Sequence, residues 1–598
     1  MTQQLAIAVG QYSTAGRKPV NQDFHGVVVP REPVLSAKGI AVAMADGISS
    51  SDVSQIASET AVKALLEDYY ATAESWSVKT SVQRVLRATN AWLYGQTRNG
   101  PFRYELDRGY VCTLSAIVLK SATVHIFHVG DTRVYYLAGR RLEQLTRDHR
   151  VHLSREQSWL ARALGMGDHL EIDYQAYPLE VGDTFLLMTD GVYEFTDAAV
   201  VAAAIEQHHD DLDQACRAIV DAALATGSAD NCSIQILRIE QLPRGELDEL
   251  NQHAAALPFP PALRPRMQLD GFEILRELHG SSRSHVYLAG DGDSGEQVVL
   301  KAPSVELRGN AEYLERFLME EWVARRVDNP HILKHIEQRR KRSCLYLVTE
   351  YIEGRTLSQW MRDHPQPDLE TVRSIVEQIA RGLQALHRQE MLHQDLRPDN
   401  VMIDRAGTAK LIDFGSVRVA GVAELSAPGE RRDILGTAQY TAPEYFLGEA
   451  GSSRSDLFSL GVIAYQMLSG RLPYGTGVAK ATSRAAQRRL RYRSVLDDER
   501  GIPAWIDGAI RKAVHPNPDR RYAELSEFLY DLRHPNPAFS SADQAPLLER
   551  NPVLFWKGLS LVLFLCIVLL LTTHPVLTQA REVSSNTTEP THEQARND

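Results

Sequence analysis

The chain has 598 residues, 44% hydrophobic and 24% charged, so its composition is that of a globular protein and its length exceeds what one hydrophobic core usually organises. Its formal net charge of −11 leaves no basic surplus to neutralise phosphates, which argues against a nucleic-acid-binding role. The five cysteines include no C-x-x-C pair, so a thiolate metal site is not expected and the cysteine usage is typical of a reducing compartment.

Residues 1–240 mix short apolar runs with helical patterns. Five runs that end in turn or acidic residues are predicted as strands: GIAVAMADG, TLSAIVLKS, ATVHIFHVG, TFLLMTDG and CSIQILRI. The segment SDVSQIASETAVKALLEDYYA has helical periodicity. The N-terminus lacks a basic stretch followed by a long apolar run, so no signal peptide is expected.

Aspartates recur at the ends of these apolar runs. They are Asp23, Asp46, Asp131, Asp190 and Asp230. A carboxylate in such a place is costly unless it binds a metal or hydrogen-bond donors, so several of them predict a site for hard divalent cations. Two such ions can share a water, lower its pKa and direct a hydroxide at phosphorus. The alternative, that an aspartate merely caps a turn, explains any single one of them well.

The motifs NQDFHG, VAMADGIS, HVGDTR, LLMTDGVYEF and SADNCSI resemble those of the metal-dependent PPM-type Ser/Thr protein phosphatases, over nearly all of residues 5–240. The resemblance implies a β-sandwich flanked by helices that holds two Mn²⁺ or Mg²⁺ ions. It further implies that Asp46 bridges the two metals and that Gly47 offers its carbonyl. Asp190 and Asp230 would complete the first metal's shell.

The same resemblance leaves other roles open. Asp23 lies in the N-terminal acidic motif and is a metal-ligand candidate, and Asp131 and Glu194 are candidates for a weaker third metal. Arg17 is the candidate for binding the substrate phosphate. Its spacing to NQD is one residue longer than usual, so Lys18 is the alternative.

Residues 241–268 contain five prolines and predict a linker, after which residues 269–535 begin with strand-like segments and become mostly helical. The strongest signal there is LHQDLRPDNVMID followed by KLIDFGS, which places Asp395, Asn400 and Asp413. Phosphoryl transfer needs a carboxylate beside the attacking hydroxyl and oxygen ligands that hold Mg²⁺ against ATP. These residue types therefore predict a phosphotransferase site.

This segment resembles the eukaryotic-like (Hanks-type) Ser/Thr protein kinases. The resemblance implies a bilobal fold in which Asp395 is the catalytic base and Asn400 and Asp413 bind Mg²⁺. Lys301 would hold the ATP phosphates, fixed by an ion pair with Glu320.

Further positions follow from the resemblance to kinases. Arg397 stands two positions after the base, where the family has a lysine, and Glu444 of TAPE is expected to pair with Arg521 of PDRRY. The segment SRSDLFSLGVIAYQML is expected to form the central helix of the helical lobe. Four residues are expected to line the nucleotide pocket: Gly280, Val286, Glu350 and Ile352.

Two departures from the kinase pattern affect function. In the nucleotide loop LHGSSRSHVYLA, the usual glycines fall on His279, Ser281 and Ser284, which reduces backbone freedom near the phosphates. In HQD, Gln394 replaces the arginine that would clamp a phosphorylated activation loop. The second departure predicts that activity does not require phosphorylation of that loop.

A polar connection, residues 536–552, leads to the apolar segment VLFWKGLSLVLFLCIVLLLTT, residues 553–573. As a helix this segment would match the hydrocarbon core of a bilayer, with Trp556 and Lys557 near the headgroups. Basic residues on its N-terminal side favour leaving the catalytic domains in the cytoplasm and the polar tail, residues 574–598, outside. The alternative is a buried helix of a soluble domain.

The sequence therefore predicts a multidomain α+β protein with one C-terminal transmembrane helix. It would hydrolyse phosphoserine and phosphothreonine with metal ions and phosphorylate Ser and Thr with ATP and Mg²⁺. The expected partners are protein substrates, including the chain itself, and the membrane. The competing readings are a membrane-anchored signalling scaffold with a pseudokinase and only phosphatase activity, or an inactive phosphatase half.

Overall fold

The computed structural model describes residues 4–152, 158–243, 257–307, 310–337, 340–423, 438–498, 501–540 and 555–570. Two folded units follow one another along the chain, one before and one after the predicted linker. Most of that linker, residues 244–256, lies outside the described residues.

The first unit is built on two five-stranded antiparallel sheets, ordered β1-β12-β11-β6-β7 and β10-β5-β4-β3-β2, with a separate β8-β9 ribbon. Its strands are β1 (Ala6–Thr14), β2 (Asp23–Val28), β3 (Ile40–Asp46), β4 (Leu114–Lys120), β5 (Thr123–Val129), β6 (Arg133–Ala138), β7 (Arg141–Gln144), β8 (Arg150–His152), β9 (Ser158–Leu160), β10 (Asp173–Pro178), β11 (Thr184–Met188) and β12 (Cys232–Gln241). The five predicted strands are confirmed as β3, β4, β5, β11 and β12.

Helices cover both outer faces of this sandwich. They are α1 (Val34–Lys38), α2 (Ser54–Ala71), α3 (Val78–Asn99), α4 (Asp190–Tyr193), α5 (Ala198–Gln207) and α6 (Leu212–Thr226), with a 3₁₀ turn at Leu106–Arg108. The helix predicted from its periodicity is confirmed as α2. Helix α2 packs on β2 and β3 with α3 beside it, and α6 packs on β1 and β12 with α5 beside it, next to β7.

The composition of β3 explains why the strand fits between two layers. Its alternate residues Ile40, Val42 and Met44 fill the space between the sheets, whereas Ala41 and Ala43 pack beneath the helices. A strand buried on both faces reads as a continuous apolar run, and the small residues allow close helix packing. The predicted β-sandwich flanked by helices is confirmed.

The second unit starts with a five-stranded sheet, ordered β13-β14-β15-β16-β17. Its elements are β13 (Gln268–Leu269), β14 (Phe272–Gly280), β15 (Ser284–Asp291), β16 (Gln297–Pro303), a 3₁₀ turn at Val305–Leu307, α7 (Ala311–Arg326) and β17 (Leu347–Glu350). One hydrophobic core lies within this sheet lobe.

A larger helical lobe follows, with its own core. Its helices are α8 (Leu357–Asp363), α9 (Leu369–Arg388), α10 (Ala420–Ala423), α11 (Ser453–Ser469), α12 (Gly477–Lys480), α13 (Arg484–Gln487), α14 (Ala504–Ala513), α15 (Leu525–Arg533) and α16 (Pro537–Ser540). Its short strands are β18 (Gly354–Thr356), β19 (Met391–Leu392), β20 (Val401–Asp404), β21 (Ala409–Leu411) and β22 (Arg418–Val419). Its 3₁₀ turns are Pro398–Asn400, Pro443–Leu447, Val495–Asp498 and Pro518–Arg520. The predicted two lobes are confirmed, and α11 is the predicted central helix.

Residues 555–570 form a helix. Across the described residues, no helix combines the length and the apolar character needed to cross a membrane. The predicted span 553–573 extends beyond the described residues at both ends, and the polar tail 574–598 lies outside them.

Candidate active sites

The aspartates of the first unit lie at the ends of neighbouring strands. Asp23 opens β2 and pairs across the ladder with Asp46, which closes β3. Asp190 begins α4 directly after β11, and Asp230 precedes β12, which is the antiparallel neighbour of β11. A Cβ on Gly191 would lie 2.0 Å from the Asn231 carbonyl oxygen, so the last two turns are in direct contact. The sandwich therefore gathers these carboxylates at one edge.

Burial leaves the charge of this cluster unbalanced. Asp23 Oδ2 accepts hydrogen bonds from Thr189 Oγ1 at 3.0 Å and Ser233 Oγ at 2.7 Å, but its buried Oδ1 has no hydrogen-bond partner among the described residues. Burial, and then the neighbouring charge of Asp23, raises the pKa of Asp46 well above its usual range. Burial together with nearby carboxylates raises the pKa of Asp190 to about 7.

The donor set fits hard divalent cations. All its side-chain donors are oxygens, and the buried Asp23 Oδ1 has no hydrogen-bond partner among the described residues. In the described part of the chain, no group of three or more His, Cys, Asp or Glu side chains is arranged so that it could hold a metal ion.

Arg150, at the start of β8, lies among the acidic residues on one side of the cluster. Its guanidinium contacts Asp131 Oδ2 at 2.5 Å, Asp190 Oδ2 at 3.0 Å and Glu194 Oε1 at 3.1 Å. Asp131 and Glu194, the residues expected to hold a weaker third metal, thus both contact Arg150 in this structure. A planar cation with several N–H donors can satisfy carboxylates from separate segments at once.

Lys18, rather than Arg17, reaches the cluster. The Lys18 ammonium forms an ion pair with Asp230 and donates a hydrogen bond to Ser49 Oγ at 2.8 Å, whereas Arg17 is exposed. In the turn directly after Asp46, Gly47 donates its N–H to the Gln22 carbonyl at 3.1 Å. The structure therefore favours Lys18 as the cation beside a bound phosphate.

In the second unit, a lysine joins the two lobes. Lys301 Nζ on β16 lies 2.6 Å from Glu320 Oε2 on α7 and 3.7 Å from Asp413 Oδ1. Burial alone would lower the pKa of Lys301, but the charges of Asp413 and Glu320 raise it overall. The charge of Lys301 in turn lowers the pKa of Asp413. The three side chains thus face one cleft.

The loop that carries Asp395 is fixed from two sides. Asn400 Nδ2 donates to the Asp395 carbonyl at 2.8 Å and to its carboxylate at 3.2 Å, and the N–H of Ile412 donates to the Asn400 carbonyl at 2.9 Å. The backbone of Asp413 is left-handed, with a φ of 68°. The Asp395 carboxylate and the two predicted Mg²⁺ ligands therefore belong to one hydrogen-bonded unit.

Comparison with known proteins agrees with this geometry. Residues 11–226 match the family model described as protein phosphatase 2C, and residues 272–535 match the protein kinase domain model. The chain carries a protein phosphatase 2C domain followed by a protein kinase domain. Both belong to the families predicted from the motifs.

Curated relatives share the kinase domain. The serine/threonine-protein kinase PrkC of Bacillus subtilis is 27% identical over 266 residues, covering 44% of this chain and 40% of that protein. PknL of Mycobacterium tuberculosis is 33% identical over 263 residues, covering 43% of this chain and 64% of that protein. The chain thus spans less than two thirds of these relatives.

A solved structure resembles the phosphatase domain. It is the phosphatase PstP catalytic domain in complex with 2 manganese ions, which is 21% identical, covers 40% of this chain and 100% of that chain, and has a TM-score of 0.33.

The nucleotide loop of the kinase domain satisfies its own polar groups. Ser281 Oγ accepts from the N–H groups of Arg283 and Ser284 and donates to the Ser284 carbonyl, which closes the turn between β14 and β15. The hydroxyl of Ser281 is therefore engaged within the loop. Val286, by contrast, pairs in register with Lys301 and lies beside the cleft.

The side chains of two residues that were predicted to line the nucleotide pocket make other contacts. Glu350 forms an ion pair with Lys410 at 2.7 Å, and Ile352 packs in the core of the helical lobe. The Glu350 N–H also donates to the Lys334 carbonyl at 3.0 Å, so this residue is tied to the protein by both its main chain and its side chain. Gly280 lies at the end of β14, where a Cβ would meet Glu277 Oε1 at 2.5 Å.

Asp456 on α11 holds the backbone of the catalytic loop. Its buried carboxylate accepts from the N–H groups of His393 at 2.9 Å and Gln394 at 3.0 Å, and lies 2.8 Å from His387 Nε2. These bonds hold Gln394 in a left-handed conformation, with a φ of 63°. The Gln394 side chain lies 3.4 Å from the Tyr445 hydroxyl.

Near the activation segment, Arg397 Nη2 lies 3.4 Å from Asp399 Oδ2. The pair expected between Glu444 and Arg521 is present, buried and bidentate, with both contacts at 2.7 Å. Sequence reasoning missed Arg150 and Asp456 as site residues. Asp456 could have been found from its place at the start of the central helix, but Arg150 carries no local signal.

Proposed function

We propose that this chain is a bifunctional protein serine/threonine kinase and phosphatase. The observation that carries the proposal is the Lys301 ammonium held between Glu320 and Asp413. The other domain of the same chain gathers buried aspartates at one edge of the sandwich, where burial and neighbouring carboxylates raise the pKa of Asp46. Each set is assembled from distant segments, which a merely structural role would not require.

In the kinase domain, the chain's own groups would position ATP and the acceptor. Lys301, oriented by Glu320, would bind the phosphates, and Asn400 and Asp413 would hold Mg²⁺, which neutralises charge on the phosphates. Asp395 would accept the proton of the attacking hydroxyl. The hydrogen bonds from Asn400 orient that carboxylate, and Arg397 would add positive charge near the transferred group.

In the phosphatase domain, Asp46, Asp190 and Asp230, with the Gly47 carbonyl and Asp23, would hold two Mn²⁺ or Mg²⁺ ions. When bound, such a pair acidifies a shared water and polarises the phosphate ester. Lys18 would orient the phosphate of the substrate. Thr189 and Ser233 hold Asp23 in place by hydrogen bonds.

The substrates in this proposal are proteins that bear Ser or Thr and their phosphorylated forms, including this chain. The test uses radiolabelled ATP and the purified chain in three forms: unaltered, Asp46→Asn and Asp395→Asn. Label should accumulate strongly only in Asp46→Asn, because transfer continues while removal stops. No label in any form would favour the scaffold with a pseudokinase. Equal label in the unaltered and Asp46→Asn forms would contradict phosphatase activity on the chain itself.

We also propose that residues 553–573 anchor the chain in a membrane, with both catalytic domains in the cytoplasm. The helix 555–570 supports this, because its apolar side chains, such as Phe564 and Leu570, are exposed to solvent. The test compares the full chain with one ending at residue 552 by carbonate extraction of membranes. Recovery of both in the soluble fraction would contradict the anchor.

A further inference from the structure

The phosphatase domain contacts the kinase domain through the turn between α2 and α3. Trp76 Nε1 donates to the Arg388 carbonyl at 3.1 Å, and Ser75 Oγ donates to Gln389 Oε1 at 3.0 Å. Glu74 forms an ion pair at 2.7 Å with a kinase arginine at the end of α7, Arg326. We call this turn, residues 74–77 with Thr80 and Lys120, the docking face.

The strongest contact is made by a carboxylate of the kinase. Glu390 accepts hydrogen bonds from the Ser77 N–H at 2.6 Å and from Thr80 Oγ1 at 2.6 Å, at the N-terminus of α3. The first N–H groups of a helix lack partners within it, and the helix dipole favours an anion there. The kinase thus supplies a charged cap to a phosphatase helix.

A second contact fixes the start of the activation segment. The Gly421 N–H donates to the Ser75 carbonyl at 2.9 Å, and Lys120 Nζ donates to the Gly421 carbonyl at 2.6 Å. Lys120 is only 1% exposed, and a lysine is seldom buried so fully without partners. A Cβ on Gly421 would lie 2.3 Å from the Glu74 carbonyl oxygen, so the two backbones meet closely. The two backbones are therefore closely fitted around Gly421.

The three kinase segments bound at this face each lead to a group of the kinase cleft. Arg326 ends α7, less than two turns after Glu320. The turn at Arg388–Glu390 leads through β19 to Asp395, and Gly421 follows Asp413 along the same segment. The docking face therefore contacts three segments that lead to the Lys301 cleft.

We propose that the phosphatase domain has a second, non-catalytic function: it docks on the kinase domain and holds α7 and the catalytic loop in the arrangement that closes the Lys301–Glu320 pair. This inference rests on the proposed kinase function for its effect on activity. When a protein segment has two conformations, a contact that forms in only one of them shifts the equilibrium toward that conformation. Docking is therefore expected to favour the active cleft.

The docking face lies away from the metal cluster. Strand β3 runs from Ile40 to Asp46, and its first residue pairs with Leu119, next to Lys120. Lys120 therefore lies at the opposite end of the sheet from Asp46, at a distance of about 20 Å for a strand of this length. Docking thus leaves the phosphatase site open to another protein, and an Asp46 substitution does not disturb the interface.

The test uses the full chain carrying Asp46→Asn, so that phosphate is not removed during the assay. The added substitutions Glu74→Arg and Trp76→Ala weaken docking without changing a kinase residue. The matched control carries Glu67→Arg and Trp92→Ala, the same changes at exposed positions of α2 and α3. The measurements are hydrogen–deuterium exchange over residues 311–326 and 388–395, and phosphoryl transfer to a protein substrate.

We expect the docking variant to exchange faster over both segments and its kcat/KM for phosphoryl transfer to fall about tenfold, while the control matches the parent. The same variant with Asp46 intact should hydrolyse p-nitrophenyl phosphate at the normal rate, which checks folding. Unchanged exchange in the docking variant, or equal changes in variant and control, would overturn the proposal. Absence of transfer by the parent would contradict the kinase function instead, and exchange alone would then decide on docking.

Discussion

The two catalytic clefts hold their charges in opposite ways. In the kinase domain, Lys301 lies between Glu320 and Asp413, and its charge lowers the pKa of Asp413. In the phosphatase domain, burial and repulsion raise the pKa of Asp46 and Asp190. The kinase cleft therefore contains its own balancing cation, whereas Arg150 and Lys18 offset only part of the negative charge of the phosphatase cluster.

The largest effect on stability should come from removing the Lys301 cation that balances the carboxylates of the kinase cleft. Lys301→Met leaves the carboxylates of Glu320 and Asp413 without their cation. We expect a loss of about 3 kcal/mol, because one partner of a buried ion pair is left uncompensated. Urea unfolding monitored over the kinase domain measures it, with Lys301→Arg as the control that keeps the charge. An unchanged midpoint for Lys301→Met would show that the cleft does not depend on this pair.

Adding Mn²⁺ should have the next largest effect, and only on the phosphatase domain. Cations that bind the folded cluster stabilise it by about 2.7 kcal/mol at a concentration of 100 times Kd. Calorimetry with and without a chelator should show the phosphatase transition shifting while the kinase transition stays in place when no nucleotide is present. If both transitions moved equally, the contrast between the clefts would be wrong.

A smaller effect of opposite sign is expected from Asp46→Asn without metal. Removing one of the mutually repelling carboxylates should stabilise the metal-free phosphatase domain by about 1 kcal/mol, as is common for substitutions at functional sites. The same variant should no longer gain stability from Mn²⁺. Thermal unfolding in chelator, compared with Ser49→Ala as a nearby neutral change, measures the difference. A loss of stability in Asp46→Asn would mean that its charge is already balanced.

The smallest effect is the acid sensitivity of the phosphatase domain. Burial, and then the charge of Lys120, lowers the pKa of His125 from the ordinary 6.5 to about 4. Burial, and then the charge of His149, lowers the pKa of His128 to about 4 as well. At these two histidines the folded state thus binds fewer protons than the unfolded state, so their contribution to stability is full above about pH 6.5 and falls as the pH drops toward about 4; the first step, from pH 7 to pH 6, costs about 1 kcal/mol. His125→Phe should flatten this slope in pH-dependent unfolding. An unchanged slope would exclude His125 as a source.

Much of the fold could be predicted from sequence because its patterns are local. The apolar run of β3 and the periodicity of α2 depend only on which faces are buried. The order of strands in each sheet was not predicted. β1 pairs with β12 across nearly the whole phosphatase domain, and no local pattern records that pairing.

Some residues of the candidate sites could be predicted and others could not, again because only local patterns are visible in the sequence. Motif positions such as Asp46 and Asp190 lie at element ends that a short pattern marks. Arg150 is placed by the β8–β9 ribbon, far from the motifs whose carboxylates it binds. Hydroxyls present another difficulty, because composition does not tell whether Ser281 serves a ligand or its own loop.

The contact between the domains could not be predicted from local pattern at all. Glu390 caps a helix that begins with Val78, more than three hundred positions earlier in the chain. Neither residue is unusual within its own domain. Only the folded arrangement gives Glu390 the helix terminus that its carboxylate neutralises.

The separation of Lys120 from Asp46 along one sheet has a consequence for how strongly a substrate is phosphorylated. A phosphoprotein bound at the aspartate edge does not compete with the kinase for the docking face, so both reactions can run at once in a single molecule. The phosphorylated fraction of a shared client would then be a steady state, set by the ratio of two turnover rates. Supplies of nucleotide and of divalent ions would tune that ratio independently.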